Sequence, residues 1–416
     1  MELPEKSLSC QCCIVGGGPA GMMLGLLLAR AGIKTAVIEK HGDFLRDFRG
    51  DTVHPSTLQI LDELGLKSRF DQLPQQRVSQ LEVMLAHGPC AVADFRKLKP
   101  FPYLALVPQW DLLALLAQES ARYPWYSLHM QSEAIRLLHD ETSGRVCGVH
   151  AQTPNGRLHI RADLVVGCDG RQSVLRHAAG MHPQNLGAPM DVLWFKVPRA
   201  TWHPKGTYGV PGRGSFLVLL NRGNYWQAAI VIPKGAAERW QAQPLQLFRD
   251  SITRRAPFLN NELVSLKSWD EVKLLEVRVD RLQHWHQPGL LFIGDAAHAM
   301  SPIGGVGINL AIQDAVAAAN IIAAPLLAGL QPDESTLARV QRRRMMPTRL
   351  TQHIQTTLQR RLIAPALQMN DSDRPIEIPA LLKLLLRSDT VRSIPARIFG
   401  LGFRREHVRS PECKMP

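Results

Sequence analysis

The stretch Cys13-Ile14-Val15-Gly16-Gly17-Gly18-Pro19-Ala20-Gly21, running on through Met22-Met23-Leu24-Gly25-Leu26-Leu27-Leu28-Ala29-Arg30, reads as a short apolar strand, a glycine turn and an apolar helix. Gly32 to Glu39 then supplies a second strand with an acid at its end. Gly16, Gly18 and Gly21 form G-x-G-x-x-G. The first glycine permits a tight turn, the second lets backbone approach a pyrophosphate, and the third lets the helix pack closely on the strand. Open amides and the positive dipole end at the helix start favour phosphates. Glu39 lies about twenty residues beyond Gly16, where an acid holds ribose hydroxyls. Ala20 inside the turn and Lys40 after the acid belong to the same cradle. The pattern implies a dinucleotide and leaves open which one.

Working outward, the chain returns to this grammar twice. Ala162-Asp163-Leu164-Val165-Val166-Gly167-Cys168-Asp169-Gly170 is an apolar strand ending in Asp-Gly, and Arg171 to Arg176 open a helix behind it. Gly289-Leu290-Leu291-Phe292-Ile293-Gly294-Asp295-Ala296-Ala297-His298 is a second buried strand with an aspartate at its end. A Gly/Pro loop follows, Ala299-Met300-Ser301-Pro302-Ile303-Gly304-Gly305-Val306-Gly307, and Ile308-Asn309 start a long apolar helix. Physically this is a second cradle. An aspartate binds sugar-like hydroxyls, glycines admit a flat ring, and a helix N-terminus stabilises negative charge beside it.

Between these landmarks the reading is coarser. The polar loop after Glu39 carries Arg49, whose fork matches phosphate oxygens. A helix is predicted over 56–64, ended by Gly65. Residues 78–107 alternate strand-like pieces with Pro and Gly breaks and show no clear partner. Pro108-Gln109-Trp110-Asp111 starts an amphipathic helix to about Arg122, with Asp111 as its predicted cap. Strands are predicted at 127–130, 145–153 and 157–160, the last two joined by an Asn155-Gly156 hairpin turn. From 181 the grammar changes to strands at 191–197, 215–220 and 225–232, a helix over 236–255 and a strand at 271–279.

The expected architecture is α/β: a Rossmann-like dinucleotide domain with an inserted, mainly antiparallel β domain and a helical C-terminal tail. The expected boundaries are 8–180, 181–283, 284–330 and 331–416, with 78–107 free to pair with the inserted sheet.

Composition sets outer limits. A chain of 416 residues exceeds what one core usually serves. Apolar residues make up 45%, and no hydrophobic run reads as long enough to span a bilayer. The start, Met1 to Ser7, lacks the basic and apolar regions of a signal peptide, so a cytoplasmic location is expected. The seven cysteines are scattered, and Cys10, Cys12 and Cys13 read as small buried hydrophobes rather than metal ligands. No metal is expected. The formal charge is +13, and residues 334–416 hold sixteen Lys/Arg against seven Asp/Glu. No nucleic-acid module is visible, so a solvated basic surface is the plainer reading. Arg342-Arg343-Arg344, Arg360-Arg361 and the apolar run 381–386 also suit a helix lying on anionic membrane.

Together, the order G-x-G-x-x-G, Asp169-Gly170-x-x-Ser173-x-x-Arg176, then Gly294-Asp295-Ala296-Ala297-His298 resembles the aromatic-hydroxylase family of flavoprotein monooxygenases, typified by para-hydroxybenzoate hydroxylase. The resemblance covers Cys13 to about Leu327. It implies an FAD enzyme in which Gly16, Gly18, Gly21 and Glu39 hold the ADP half, with Arg49 and Gln109 contacting the cofactor. Asp169 and Gly170 would lie near the pyrophosphate and take part in NADPH or NADH use. Asp295 would bind the ribityl-phosphate region, and Pro302, Gly304, Gly305, Gly307, Ile308 and Asn309 would line the isoalloxazine. The implied chemistry is flavin reduction by NAD(P)H, dioxygen addition at C4a, and oxygen transfer from the hydroperoxide to an aromatic or polycyclic substrate.

The second sheet carries no recognisable family substrate residue. Trp194, Tyr208 and Trp226 are candidate pocket walls. His54 and His298 lie in cofactor-facing loops, where structural hydrogen bonding is the plainer role. No catalytic base is named. A single G-x-G-x-x-G counts against flavoenzymes with two such motifs. A flavin reductase on the same scaffold and a non-catalytic FAD-binding protein are the competing readings.

Overall fold

A computed structural model describes residues 5–45, 52–85, 88–212, 214–368 and 388–413. Two sheets organise them. The first has eight strands, with the parallel run Leu290–Phe292, Gly156–Gly167, Glu5–Val15, Thr35–Ile38 and Tyr126–His129 at its centre. The central strands are buried on both faces: Cys12 and Ile14 pack into one cluster, and Cys13 and Val15 into the other. Such two-sided burial is what a parallel sheet covered by helices demands. Helix α1 (Pro19–Arg30) follows the first strand directly, and its residues from Ala20 to Ala29 are all buried. The predicted strand at 157–160 is the start of one long strand, Gly156–Gly167, that also contains the predicted strand at 162–167.

The second sheet has seven strands in the order Lys273–Leu275, Met190–Pro198, Tyr225–Pro233, Ser215–Asn221, Tyr208–Gly212, Gln80–Leu85 and Gly88–Asp94. It is antiparallel except where Tyr208 and Gly209 run parallel to Glu82 and Val83. Strands from 80 to 94 thus extend the second sheet. Leu104–Leu106 instead joins a small sheet with Thr52–Val53 and Gln76–Val78.

Both faces of the second sheet are apolar. Leu193, Phe195, Leu217, Leu219, Trp226 and Ile230 pack beneath Ala237, Phe248 and Ile252. Val192, Trp194, Phe216, Val218, Ala229 and Val231 share the opposite cluster with Ile303, Ile363 and Leu367.

The expected mixed architecture and helical C-terminal region are present, with local corrections. The helix predicted over 236–255 is two, Ala237–Gln241 and Leu245–Thr253, with Pro244 capping the second. A proline cannot supply the interior amide that a continuous helix needs. The strand predicted at 271–279 is only Lys273–Leu275. Helix α2 spans Pro55–Glu63. Helix α3 (Gln109–Ser120) is capped by Pro108, and Asp111 lies within its first turn instead of capping it.

Helix α4 (Gly307–Leu327) runs through the first core. With the preceding turn, from Ile303 to Leu327, it is long and apolar enough to cross a membrane, at mean hydropathy 1.6. The sequence reading saw no such run. Of its most apolar window 72% is buried in the protein, as in a core helix. Helices α5 (Glu334–Leu358) and α6 (Asp389–Leu401) belong to the C-terminal region. The basic triplet does not form a free cationic face. Arg344 is fully buried against Asp314 and Glu406, and Arg343 pairs with Glu406 at 2.7 Å. This corrects the membrane-surface expectation for that triplet, and residues 381–386 lie outside the described ones.

Candidate active site

Each glycine of the first turn has a separate physical reason. Gly16 sits at φ +110°, and a Cβ on it would fall 2.4 Å from the Cys168 carbonyl oxygen. A Cβ on Gly21 would fall 2.0 Å from the Gly16 carbonyl oxygen, so α1 packs on the strand only because that atom is missing. Gly18 is the N-cap of α1, and a Cβ there would meet nothing within 4 Å among the described residues. Its backbone therefore faces open space beside amides that the helix leaves unpaired. Ala20 is buried, and a Cβ on Gly294 would fall 3.1 Å from its methyl group.

Glu39 ends the second strand, 8% exposed. Its Oε2 accepts from the Gly17 N–H at 2.7 Å, and its Oε1 accepts from the His41 N–H at 3.1 Å and pairs with the His41 ring. The acid thus braces the turn as well as bordering the cradle. Lys40 is exposed, and Gln109 is the half-buried first residue of α3. Arg49 lies outside the described residues.

The Asp-Gly turn lies alongside. Asp169 Oδ2 accepts from the Leu175 N–H at 3.1 Å, while the buried Oδ1 has no hydrogen-bond partner among the described residues. Burial raises the Asp169 pKa, with hydrogen bonds from Ser173 and nearby amides opposing it. Gly170 has φ +81° with open space at its Cβ position. Ser173 caps the short helix Val174–Ala178, accepting from the Arg176 N–H. Arg176 then donates to the Arg171 and Ala296 carbonyls at 2.7 and 3.0 Å. Arg171 Nε meets Asp295 Oδ2 at 3.0 Å. The two strand ends are therefore tied together twice by arginines. Sequence reasoning placed Arg171 only at a helix start; an arginine directly after a strand-end Asp-Gly was the available signal. A cleft of about 470 Å³ opens on this side, lined by Arg171, Arg176, His177, His182 and Arg278 among others.

The second cradle is held from behind. Asp314 of α4 accepts from the Gly294 N–H at 3.1 Å and from His298 Nε2 at 2.6 Å, so His298 is a buried brace. Pro302 precedes the turn Ile303–Gly305, in which Gly304 and Gly305 have φ +76° and +61°. A Cβ on Gly307 would meet nothing within 4 Å among the described residues, so the first turn of α4 faces space free of them there. Ile308 is buried.

The Asn309 side chain is fully used elsewhere. Its oxygen accepts from the His54 N–H and Thr57 hydroxyl at 2.8 and 2.6 Å, and its nitrogen donates to the Thr52 and Gly305 carbonyls. Only its backbone remains for a ligand at the helix start. His54 is fully buried, its ring facing backbone groups of Gly304, Gly305 and Phe399. Burial lowers its pKa to about 4, offset in part by backbone groups of Gly304, Gly305 and Phe399. It is therefore a neutral imidazole at pH 7.

The three aromatic candidates separate by strand parity. Trp194 lies on the face shared with Ile303, and its buried indole N–H has no hydrogen-bond partner among the described residues. Tyr208 and Trp226 lie on the opposite face and are satisfied there: the Tyr208 hydroxyl accepts from the Gly206 N–H, and the Trp226 N–H donates to His203 Nδ1. Those two are core residues of the far side.

Comparison with known proteins agrees with this geometry. The family described as FAD binding domain matches residues 9–353. The 6-methylpretetramide 4-monooxygenase of Streptomyces rimosus is 31% identical over 98% of this chain and 96% of its own length. The ubiquinone hydroxylase UbiL of Rhodospirillum rubrum is 27% identical over 78% and 75%. Among solved structures, P. aeruginosa PqsL in complex with 2-aminobenzoylacetate superposes with a TM-score of 0.74 at 21% identity, covering 85% of this chain and 96% of that one. The p-nitrophenol 4-monooxygenase PnpA of Pseudomonas putida gives 0.71 at 17% identity, over 95% and 98%. With a family model matched over most of its length and a relative aligned nearly end to end, the chain belongs to the FAD-binding aromatic-hydroxylase family of flavoprotein monooxygenases.

Proposed function

We propose that the protein is a single-component monooxygenase that uses NAD(P)H to hydroxylate a polycyclic or other electron-rich aromatic small molecule. The observation that carries this is the near end-to-end match to an enzyme named for hydroxylating 6-methylpretetramide. The overall balance is substrate, dioxygen, NAD(P)H and a proton going to hydroxylated product, water and NAD(P)⁺. Reduced nicotinamide is supplied in the cytoplasm, where this reading places the protein.

The residues present fit FAD. Open backbone at Gly18, Gly170 and Gly307 leaves room where phosphates and a flat ring would lie. Two helix starts, at Pro19 and Gly307, supply unpaired amides. In this reading Gly16, Gly18, Ala20, Gly21, Glu39 and Lys40 hold the ADP half, and Arg49 and Gln109 contact the cofactor from the neighbouring loop and helix. Asp169, Gly170 and Asp295 hold the middle of the cofactor, and Pro302 to Asn309 border the ring. Bound FAD supplies hydride acceptance from NAD(P)H and activation of dioxygen at C4a.

The chain supplies the rest. The start of α4 stabilises negative charge at the ring edge through its dipole. The apolar face bearing Trp194, Phe216, Val218 and Ala229 excludes water from the reacting side. Trp194, with its spare N–H, is the member of that face suited to a substrate oxygen. The basic cleft beside Asp169-Gly170 suits the phosphates of NAD(P)H.

NADH and NADPH oxidation with oxygen uptake, measured on the purified holoenzyme against phenols and polycyclic aromatics, tests the reading. A compound that raises oxidation and gains oxygen supports it. Turnover without oxygen incorporation would replace it by a reductase. No turnover with FAD retained would leave a binding protein.

Two substitutions probe the assignments. Asp295→Ala removes a cofactor ligand and frees Arg171, and is expected to weaken FAD retention about 100-fold while the sheets stay folded. A variant as yellow as the parent after gel filtration contradicts the placement. Arg278→Ala, at the cleft, is expected to raise the KM for NAD(P)H about 10-fold with FAD content unchanged. An unchanged KM removes the cleft from the co-substrate path.

A further inference from the structure

The geometry points to Gln355 as a positioning residue that fixes the flavin loop from behind, with Gln352 and Gln359 completing a ladder on the same helix face. This rests on the flavoprotein reading above. The segment 299–303, which leads into Pro302 and the glycine turn, belongs to no strand. The backbone and side chain of Asp280 and the backbone of Gly305 satisfy some of its peptide groups, and three glutamine side chains hold others. Gln352 donates to the Asp280 and Ala299 carbonyls at 2.8 and 3.0 Å. Gln355 donates to the Ser301 and Ile303 carbonyls at 2.9 and 2.8 Å and accepts from the Ser301 N–H at 3.2 Å. Gln359 donates to the Ser301 hydroxyl at 2.8 Å, and that hydroxyl accepts from the Ile303 N–H at 3.3 Å.

All three glutamines are at most 1% exposed. Spacings of three and four residues place them on one face of a helix. The primary amide of Gln355 therefore clamps the entry to the turn, pairing with the N–H and carbonyl of Ser301 and the carbonyl of Ile303 across Pro302, whose backbone is already helical. The helix converts from α to π at Gln359, where the ladder ends, and the π segment Gln359–Ile363 brings Ile363 onto the cluster shared with Ile303 and Trp194.

The consequence lies in the loop itself. Gly304 and Gly305 at positive φ make it conformationally permissive, so its shape must be imposed from its ends. Downstream, Asn309 staples Gly305 to the segment from Thr52 to Thr57. Upstream, Gln355 is the corresponding staple. With the upstream end released, Pro302 and Ile303 would shift relative to the bound ring and the substrate face, and a misplacement near 1 Å is worth about 100-fold in such chemistry.

The test uses the holoenzymes of Gln355→Met and Gln352→Met, substitutions that keep the side-chain length and remove the amide. Within the segment Gln352 touches only Ala299, its other partners being Asp280 and Arg281, so its loss should lower the melting temperature without altering the flavin. Gln355→Met should melt at a similarly reduced temperature, retain FAD, and shift the visible circular dichroism of the bound flavin. Product formed per NAD(P)H consumed should fall about 10- to 100-fold, with peroxide released instead. Unchanged flavin dichroism in Gln355→Met overturns the proposal. A shift of equal size in Gln352→Met also overturns it, since the effect would then be general loosening. If Gln355→Met does not fold, Gln359→Met, which removes one bond to Ser301, decides: a smaller shift in the same direction supports the ladder, and none overturns it. If the parent enzyme hydroxylates nothing, the functional reading fails while the dichroism still judges the ladder.

Discussion

Gly21→Val is expected to yield a colourless, poorly folding protein. The Cβ alone would sit 2.0 Å from the Gly16 carbonyl oxygen and 3.2 Å from the Ile14 side chain. The nearest atom is backbone and cannot swing away, so α1 must lift by about 1 Å or the turn must rearrange. α1 is buried along its length, and lifting it opens the first core. Overpacking of this kind costs about 1–3 kcal/mol. The same displacement withdraws the helix-start amides from the pyrophosphate, and geometric loss on that scale corresponds to about 100-fold. Gly18→Ala is the informative contrast. Its Cβ meets nothing among the described residues and its φ of −78° suits any residue, so melting of the FAD-free protein should be unchanged while FAD binding weakens, because the methyl occupies the cofactor's space. Flavin absorbance per protein and a melting curve, measured for both, separate the roles. A Gly21→Val protein that retained parental colour and melting would show that the close helix–strand contact is not needed.

What was legible in the sequence follows from which interactions are local. The strand–turn–helix around Gly16 and the Gly294-Asp295 loop could be read because spacing, strand alternation and helix start lie within about twenty residues. For residues 80–94 the inserted sheet was open as a partner, but the particular strand was not legible. They pair with Tyr208 and Gly209, more than a hundred residues away, and nothing in a short apolar run specifies its neighbour. The three aromatic candidates could not be ranked for a related reason. Strand parity places Trp194 opposite Phe195, but both faces of this sheet are apolar, so the pattern does not say which face meets the loop. Arg344 was misread as part of a solvated basic run. A finer signal was present: Leu337, Val340, Arg344, Pro347 and Thr351 recur at three- and four-residue steps, and all are buried. The arginine sits on the inner stripe of its helix, where it must be paired. The glutamine ladder follows the same stripe onward through Gln352 and Gln355.

That pairing sets the second large effect, expected for Arg344→Met. Arg344 is fully buried, with Nε on Asp314 Oδ1 at 2.8 Å and a terminal nitrogen on Glu406 Oε1 at 3.2 Å. Asp314 is fully buried as well. Burial alone pushes its carboxyl pKa up, but the charges and hydrogen bonds of His298 and Arg344 outweigh that and hold it below its ordinary value. Removing the arginine leaves a buried carboxylate opposed by His298 alone, a change that costs about 3–5 kcal/mol. The sign with pH is definite. In the parent, a depressed folded pKa means that this carboxyl contributes stability above its unfolded pKa of about 4, lost as pH falls through the folded value. In the variant the folded pKa moves up, so the same carboxyl weakens the fold as pH rises past 4. The gap between the two proteins should therefore be large at pH 7 and shrink toward pH 4, as read from urea midpoints. Because Asp314 also holds the Gly294 N–H, the turn bearing Asp295 should loosen, and FAD should dissociate faster at pH 7. The double variant Arg344→Met with Asp314→Asn should recover part of the loss, since it removes the stranded charge and keeps the acceptor for Gly294. A stability gap independent of pH, or a double variant worse than the single one by the full cost of Asp314→Asn in the parent, would show that Arg344 acts through packing and that the charge pairing is not what secures the cradle.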